Sequence, residues 1–260
     1  MKLFKKKEKK TKKNKKGCLP KVLVAILFLG VIIVGTISGL NSAKDLYGEK
    51  ISVITDYIEE LNKPVNESTL IVNPISPFTD FQNVANEAGF SGYTNLDGEL
   101  FLNSTMSMQD KVFGSFLNSY IKQKEEMLSI GEFNITSENS LRIVFIYDLT
   151  DLKSLLSSIG DVVPNKMYIT NTYTFSFYKD ENNINQISVE KIDTLLNQME
   201  KSKSDAIFSY LKSIDDKGIS QLFKTYDDVL FKCVNDIAVK TQSNLSLSFV
   251  ENVGYVNYSL

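Results

Sequence analysis

The chain has no histidine and no tryptophan, a single arginine at Arg142, and two cysteines in 260 residues. Without histidine there can be no Ser-His-Asp triad, no Cys-His pair, no H-E-x-x-H motif and no His-ligated zinc. The CxxC motif and the two glycine-rich nucleotide loops, G-x-x-x-x-G-K-[S/T] and G-x-G-x-x-G, are missing as well, so no cofactor is expected. Missing tryptophan weakens a sugar-cleaving reading, since such clefts favour tryptophan platforms. It does not remove that reading, because two carboxylates suffice for glycoside hydrolysis. A carboxylate-dependent envelope hydrolase therefore stands as the enzymatic alternative to a non-catalytic protein.

Charge is unevenly placed. Residues 1–21 hold eleven lysines against one acid, Glu8, residues 22–40 hold no charge, and the remainder carries 18 basic and 30 acidic side chains, a net of −12. This uncharged nineteen-residue run is about 28 Å long as a helix, close to the roughly 30 Å of a bilayer core. Gly30, Gly35 and Gly39 are tolerable there because the helix satisfies its own backbone. The lysines at one flank (Lys5, Lys6, Lys7, Lys9, Lys10, Lys12, Lys13, Lys15, Lys16 and Lys21 among them) predict a cytoplasmic amino terminus and an exported carboxy-terminal part. They are also expected to attract anionic lipid of the inner leaflet.

A cleaved signal peptide is the competing reading, but the run is longer than a usual signal core, and cuts after Ser38 or Ala43 put Thr36 or Asn41 where a small residue belongs. The organisation expected is therefore a basic tail (1–21), a transmembrane helix (22–40), a juxtamembrane helix or stalk (41–64) and an extracytoplasmic α+β domain (65–260). Cys18 and Cys233 would lie on opposite sides of the membrane, which leaves no intrachain disulfide. Cys233 sits in the apolar stripe Val229, Leu230, Cys233, Val234, Ile237 and reads as a small core residue. The excess of lysine over arginine and the abundant asparagine resemble proteins of AT-rich bacterial genomes, in which the five N-x-[S/T] sequons carry no glycosylation meaning. Nucleic acid is not an expected partner, because the acidic domain repels phosphate and the lysine tail lacks aromatic platforms.

In the stalk, Tyr47, Ile51, Ile54, Ile58 and Leu61 fall on one helical face, a stripe suited to packing on the domain or on a partner, and Pro64 ends it. Further on, the patterns predict a short strand at 70–72, a helical turn near 81–88, a strand at 98–103 and a helix opened by Ser107 and Asp110. That helix carries Val112, Phe113, Phe116, Leu117, Tyr120 and Ile121 on one face. Strands follow at 131–136 and 141–149, the second apolar on both faces and hence central. Thr150 is expected to cap a helix with Leu152, Leu155, Leu156 and Ile159. Tyr173, Phe175 and Phe177 alternate with Thr172, Thr174 and Ser176 in a hairpin turned by "KDENNIN". These aromatics are core or line an apolar cleft for a lipid or a partner segment.

Three helices, 192–199, 206–214 and 219–238, and two strands, 245–250 and 255–260, complete the expected antiparallel sheet with helices on one face. The heptamers at 112, 151 and 191 share a pattern and hint at a helix-strand-strand repeat of about 40 residues. The adjacent acids Glu125-Glu126, Asp215-Asp216 and Asp227-Asp228 read as solvated faces, since neighbours on a helix diverge by about 100°. "KDENNIN" lacks the glycine and distal glutamate of a calcium loop and reads as a polar turn. The function expected is a membrane-anchored binding or scaffold protein of the envelope, or a regulatory partner subunit of a membrane complex. Its partners would be unidentified envelope proteins or lipids.

Overall fold

The computed structural model describes residues 59–75, 106–124, 128–151 and 164–260. The lysine tail, the apolar run, most of the stalk, the strand at 98–103 and the helix after Thr150 lie outside them. Within them the chain is α+β, with two antiparallel sheets in place of the single sheet expected. The elements are α1 (Glu67–Leu70), β1 (Met106–Gln109), α2 (Asp110–Lys124), β2 (Leu128–Ser137), β3 (Ser140–Asp148), β4 (Lys166–Lys179), β5 (Asn185–Leu196), α3 (Lys201–Thr241), β6 (Asn244–Val250) and β7 (Val253–Ser259). Four strands run in the order β2-β3-β4-β5 and three in the order β1-β7-β6. No described helix is long and apolar enough to cross a membrane.

The first sheet is covered on both faces. Leu141, Ile143, Phe145 and Tyr147 of β3 enter the main core, while Val144, on the opposite face, joins Tyr168 and Leu70 in a smaller cluster. That is the arrangement that β3's two apolar faces call for. The main core is completed by Phe113, Phe116 and Leu117 of α2, all fully buried, and by Val256 and Tyr258 of β7. The two sheets meet closely at Gly254, where a Cβ would lie 2.5 Å from the Ile135 Cβ. Glycine lets β7 approach β2 to this distance.

Ser107 belongs to β1, where its hydroxyl donates to Asn257 Oδ1 at 2.6 Å, so it does not cap α2. Asp110 opens that helix instead: Oδ1 accepts the Lys111 N–H at 2.7 Å and Oδ2 the Ile135 N–H at 3.0 Å. Burial raises the Asp110 carboxyl above its usual range, against these two hydrogen bonds, which lower it. At 148–151, Asp148 Oδ1 accepts the Thr150 N–H at 3.0 Å, and the helix that Thr150 is expected to cap lies outside the described residues.

The second face is covered by a strap, residues 65–75, rather than by a helix of the domain. A strand was expected at 70–72, yet α1 ends at Leu70 and the chain continues irregularly, because side chains take its backbone groups. Arg142 Nη2 donates to the Leu70 carbonyl at 2.6 Å and Nη1 to Glu132 Oε1 at 2.9 Å, while Glu132 Oε2 accepts the Val72 N–H at 3.0 Å. Farther along, Asn66 and Gln198 exchange two hydrogen bonds, Tyr168 donates its hydroxyl to Glu67, and Ile75 N–H reaches the Gly131 carbonyl at 3.1 Å. Gly131 lies directly beneath, where a Cβ would meet Ile71 at 2.9 Å.

Two expectations fail for one reason. Residues 192–196 continue β5 instead of opening a helix, and the heptamer at 191–197 is therefore extended while that at 112–118 is helical. In β5, Lys191 pairs with Tyr173 and Asp193 with Thr172, which leaves Ile192 as a bulge. The extra residue breaks the period of two and leaves Ile192, Leu195 and Leu196 at helical spacing. A common helix-strand-strand unit does not hold for the third heptamer. The two helices expected at 206–214 and 219–238 are one 41-residue helix, α3, because Gly218 costs a helix only about 1 kcal/mol and need not end it. Gln242 stops it, in the left-handed region at φ 52°.

Two measurements check this packing. Replacing Arg142 with methionine leaves the fully buried Glu132 carboxylate without its cation, and should lower unfolding free energy by about 3–5 kcal/mol in urea titration. Cys233 is 5 % exposed, and burial pushes its thiol up to about 12. In native protein it should resist iodoacetamide at pH 9 and become alkylated on unfolding, as read by mass spectrometry.

Candidate binding groove

Between β5 and α3 lies a groove of about 1030 Å³. Its origin is a mismatch of lengths. The Leu196 N–H donates to Ser204 Oγ at 3.1 Å, and the Ile187 N–H donates to Asn235 Oδ1 at 2.9 Å, so α3 is tied to both ends of β5. Straight helix from Ser204 to Asn235 would span about 46 Å. The strand between Leu196 and Ile187 spans roughly 30 Å. The helix between those ties is therefore longer than the strand it accompanies. The strand forms one wall and the helix the other.

Tyr173 forms the floor. Its ring is fully buried and packs edge-on against Phe231 at 5.3 Å, while its hydroxyl donates to Asp227 Oδ1 at 2.6 Å and accepts from Asn171 Nδ2 at 2.8 Å. Asn171 in turn accepts the Thr194 hydroxyl at 2.9 Å. Asp227 Oδ2 pairs with Lys191 Nζ at 2.5 Å, and that ammonium stands 5.9 Å from the Tyr173 ring centroid. Burial, then the Asp227 charge, raises the Tyr173 phenol far above its ordinary value, so it stays protonated as a fixed donor. Asp227, expected on a solvated face, is thus the link between α3 and two strands. Its neighbour Asp228 is exposed and also lines the groove.

The walls carry five lysines and five aspartates. Lys201 reaches Asp193 at 2.5 Å and Asp205 at 3.4 Å, and Lys232 reaches Asp236 at 2.8 Å. Asp193 and Asp205 come from different elements, and their oxygens are no more than about 6 Å apart through the shared ammonium. The separation suits paired carboxylates of a hydrolase, but the lysine occupies the space where the scissile oxygen and water would sit. No group of three potential metal ligands exists among the described residues.

The aromatics expected as core or cleft divide. Tyr173 and Phe175 are buried, whereas Phe177 is 39 % exposed beyond the groove, with its ring 5.9 Å from Phe175. In the "KDENNIN" turn, Asp180 Oδ1 accepts the N–H groups of Asn182 and Ile184, both at 2.9 Å, and Oδ2 accepts from Gln186 Nε2 at 2.7 Å. Its oxygens are spent on closing the hairpin. Of the stalk stripe, Leu61 is half-buried against the main core, and Tyr47, Ile51, Ile54 and Ile58 lie outside the described residues, as do the eleven lysines of the tail. No protein-family model, curated protein or solved structure matches the chain.

Asp227 and Asp236 offer a direct comparison of a half-buried with an exposed ion pair. Asp227→Ala should cost about 1–3 kcal/mol, because Tyr173 loses its acceptor and Lys191 its carboxylate away from bulk water. Asp236→Ala should change stability by less than about 0.5 kcal/mol. Equal losses in urea titrations of the two variants would contradict the role given to Asp227.

Proposed function

We propose that the chain is a non-enzymatic, single-pass membrane protein of the cell envelope, whose extracytoplasmic domain binds or scaffolds a partner in the groove beneath α3. The observation that carries this reading is the charge step around residues 22–40: eleven lysines precede nineteen uncharged residues, and a net of −12 follows them. The lysines hold the amino terminus at the anionic inner leaflet, and the acidic remainder passes across. Packing supports a domain fixed close to its anchor. Leu61 rests on the main core, and Glu60 accepts from Lys203 of α3 at 2.9 Å, so the end of the stalk is bound to the domain rather than left as a loose tether.

Protease added to sealed, right-side-out vesicles or spheroplasts should digest the carboxy-terminal domain and spare an amino-terminal tag. Replacing most of the tail lysines with glutamine should loosen or invert that topology. Protection of the carboxy terminus in the unaltered protein would overturn the reading.

A further inference from the structure

We propose that the outer face of the three-stranded sheet binds an uncharged polysaccharide, with the Tyr255 ring as its stacking platform. The site is separate from the groove beneath α3 and stands whether or not that groove holds a partner. Alternation along the strands sets the face. Met106 and Met108 of β1, Val256 and Tyr258 of β7 and Leu245 of β6 are buried in the main core, and Leu247 and Phe249 pack against it. The positions between them turn outward, two in β1, four in β7 and four in β6. None of these ten carries a charge, in a domain that otherwise holds both signs in abundance.

Register places six of the ten in two rows. Tyr255 lies between Gln109 and Ser248, and Asn257 lies between Ser107 and Ser246. Adjacent strands stand about 4.8 Å apart and the rows about 7 Å apart, so the six side chains share one patch roughly 10 Å wide. Hydrogen bonds fix part of it. The Ser107 hydroxyl donates to Asn257 Oδ1 at 2.6 Å, and Asn257 Nδ2 donates to Ser248 Oγ at 3.0 Å, which ties the three strands on their outer side and orients the carboxamide. Donors remain for a ligand. Asn257 keeps a second N–H and Ser248 its O–H, while Gln109, Ser246 and the Tyr255 hydroxyl have no partner among the described residues.

The chemistry of the face selects the ligand. Hydroxyls and carboxamides give and accept hydrogen bonds as sugar hydroxyls do, and an aromatic ring among them offers a surface to the apolar C–H side of a pyranose. Neutral groups also cost less to desolvate than the charges elsewhere on the domain. Nucleic acid does not fit, because no cation stands there to meet phosphate. A lipid surface does not fit either, since the face has neither basic residues nor a broad apolar patch. Serine, which protein interfaces disfavour, fills four of the ten positions and sets the face apart from a protein contact. An exported domain meets polysaccharide in the envelope, and only this question of supply rests on the topology proposed above.

The test is co-sedimentation of the full-length chain, in nanodiscs, with three uncharged polymers: chitin, cellulose and granular starch. At least one should retain it, with an affinity that changes less than about twofold between roughly 0.05 and 0.5 M salt. Tyr255→Ala should weaken that binding at least tenfold, and Tyr255→Phe, which keeps the ring, should stay within about threefold of the parent. Ser246→Lys puts a charge on the same face without disturbing the core and should also cost at least tenfold, so the prediction does not hang on one variant. Ile192→Asn, in the groove, should change nothing. Retention by none of the three polymers, release at the higher salt, binding that survives both Tyr255→Ala and Ser246→Lys, or a loss in Ile192→Asn would each overturn the proposal. Self-association of the parent that Ser246→Lys abolishes, read by sedimentation velocity, would overturn it too and make the face a contact between copies. An inverted topology would instead sink the envelope reading and leave the polysaccharide result standing.

Discussion

The pairing of Arg142 with Glu132 is the constraint on which the rest of the domain is arranged. Glu132 is fully buried, and desolvating its carboxylate costs several kcal/mol before any partner is counted. The Arg142 guanidinium and the Val72 N–H compensate it, the guanidinium's other donor goes to the Leu70 carbonyl, and all three bonds are made together only if the strap lies across the sheet. The pair therefore specifies a position more than it adds stability. With the strap in place, Val144 and Tyr168 are buried on the second face, and the sheet becomes a layer covered on both sides. Only its outer edges remain for other elements.

At one of those edges the chain places a helix longer than the strand it accompanies. Ser204 and Asn235 hold it at the ends, and Asp227 holds it once between them, on the Tyr173 hydroxyl and the Lys191 ammonium. The groove is the geometric remainder of that mismatch. Its walls join charged residues of both elements to the rings of Phe208 and Phe231, which belong to the apolar side of α3 packed on the main core.

Local pattern made much of this visible. The two apolar faces of β3, the alternation in β4, the stripe of α2 and the closing hairpin of β6 and β7 are each written within ten or fifteen residues, and each is found where the periodicity places it. What could not be read depends on partners distant in the chain. β1 is four residues long and is a strand because β7 lies beside it, about 150 positions later. The bulge at Ile192 imitated a helix by breaking the alternation. Asp227 resembled any surface acid, since the residue that recruits it, Tyr173, is 54 positions away. The strap was misread at 70–72 because its hydrogen bonds end on side chains, which leave no repeating signal.

The pairing of β1 with β7 also orders events in time. Met106 sits opposite Tyr258, and both contribute to the same core. During synthesis, or during passage through a translocation pore from the amino terminus, β2, β3, β4 and β5 can pair in succession as they emerge. The first strand of the second sheet must wait for β7, about 150 residues later. Long-range closure of this kind is slow, and it leaves the apolar face of α2 uncovered in the interval. The domain is thus locked by the hairpin of β6 and β7, which serves as its clasp.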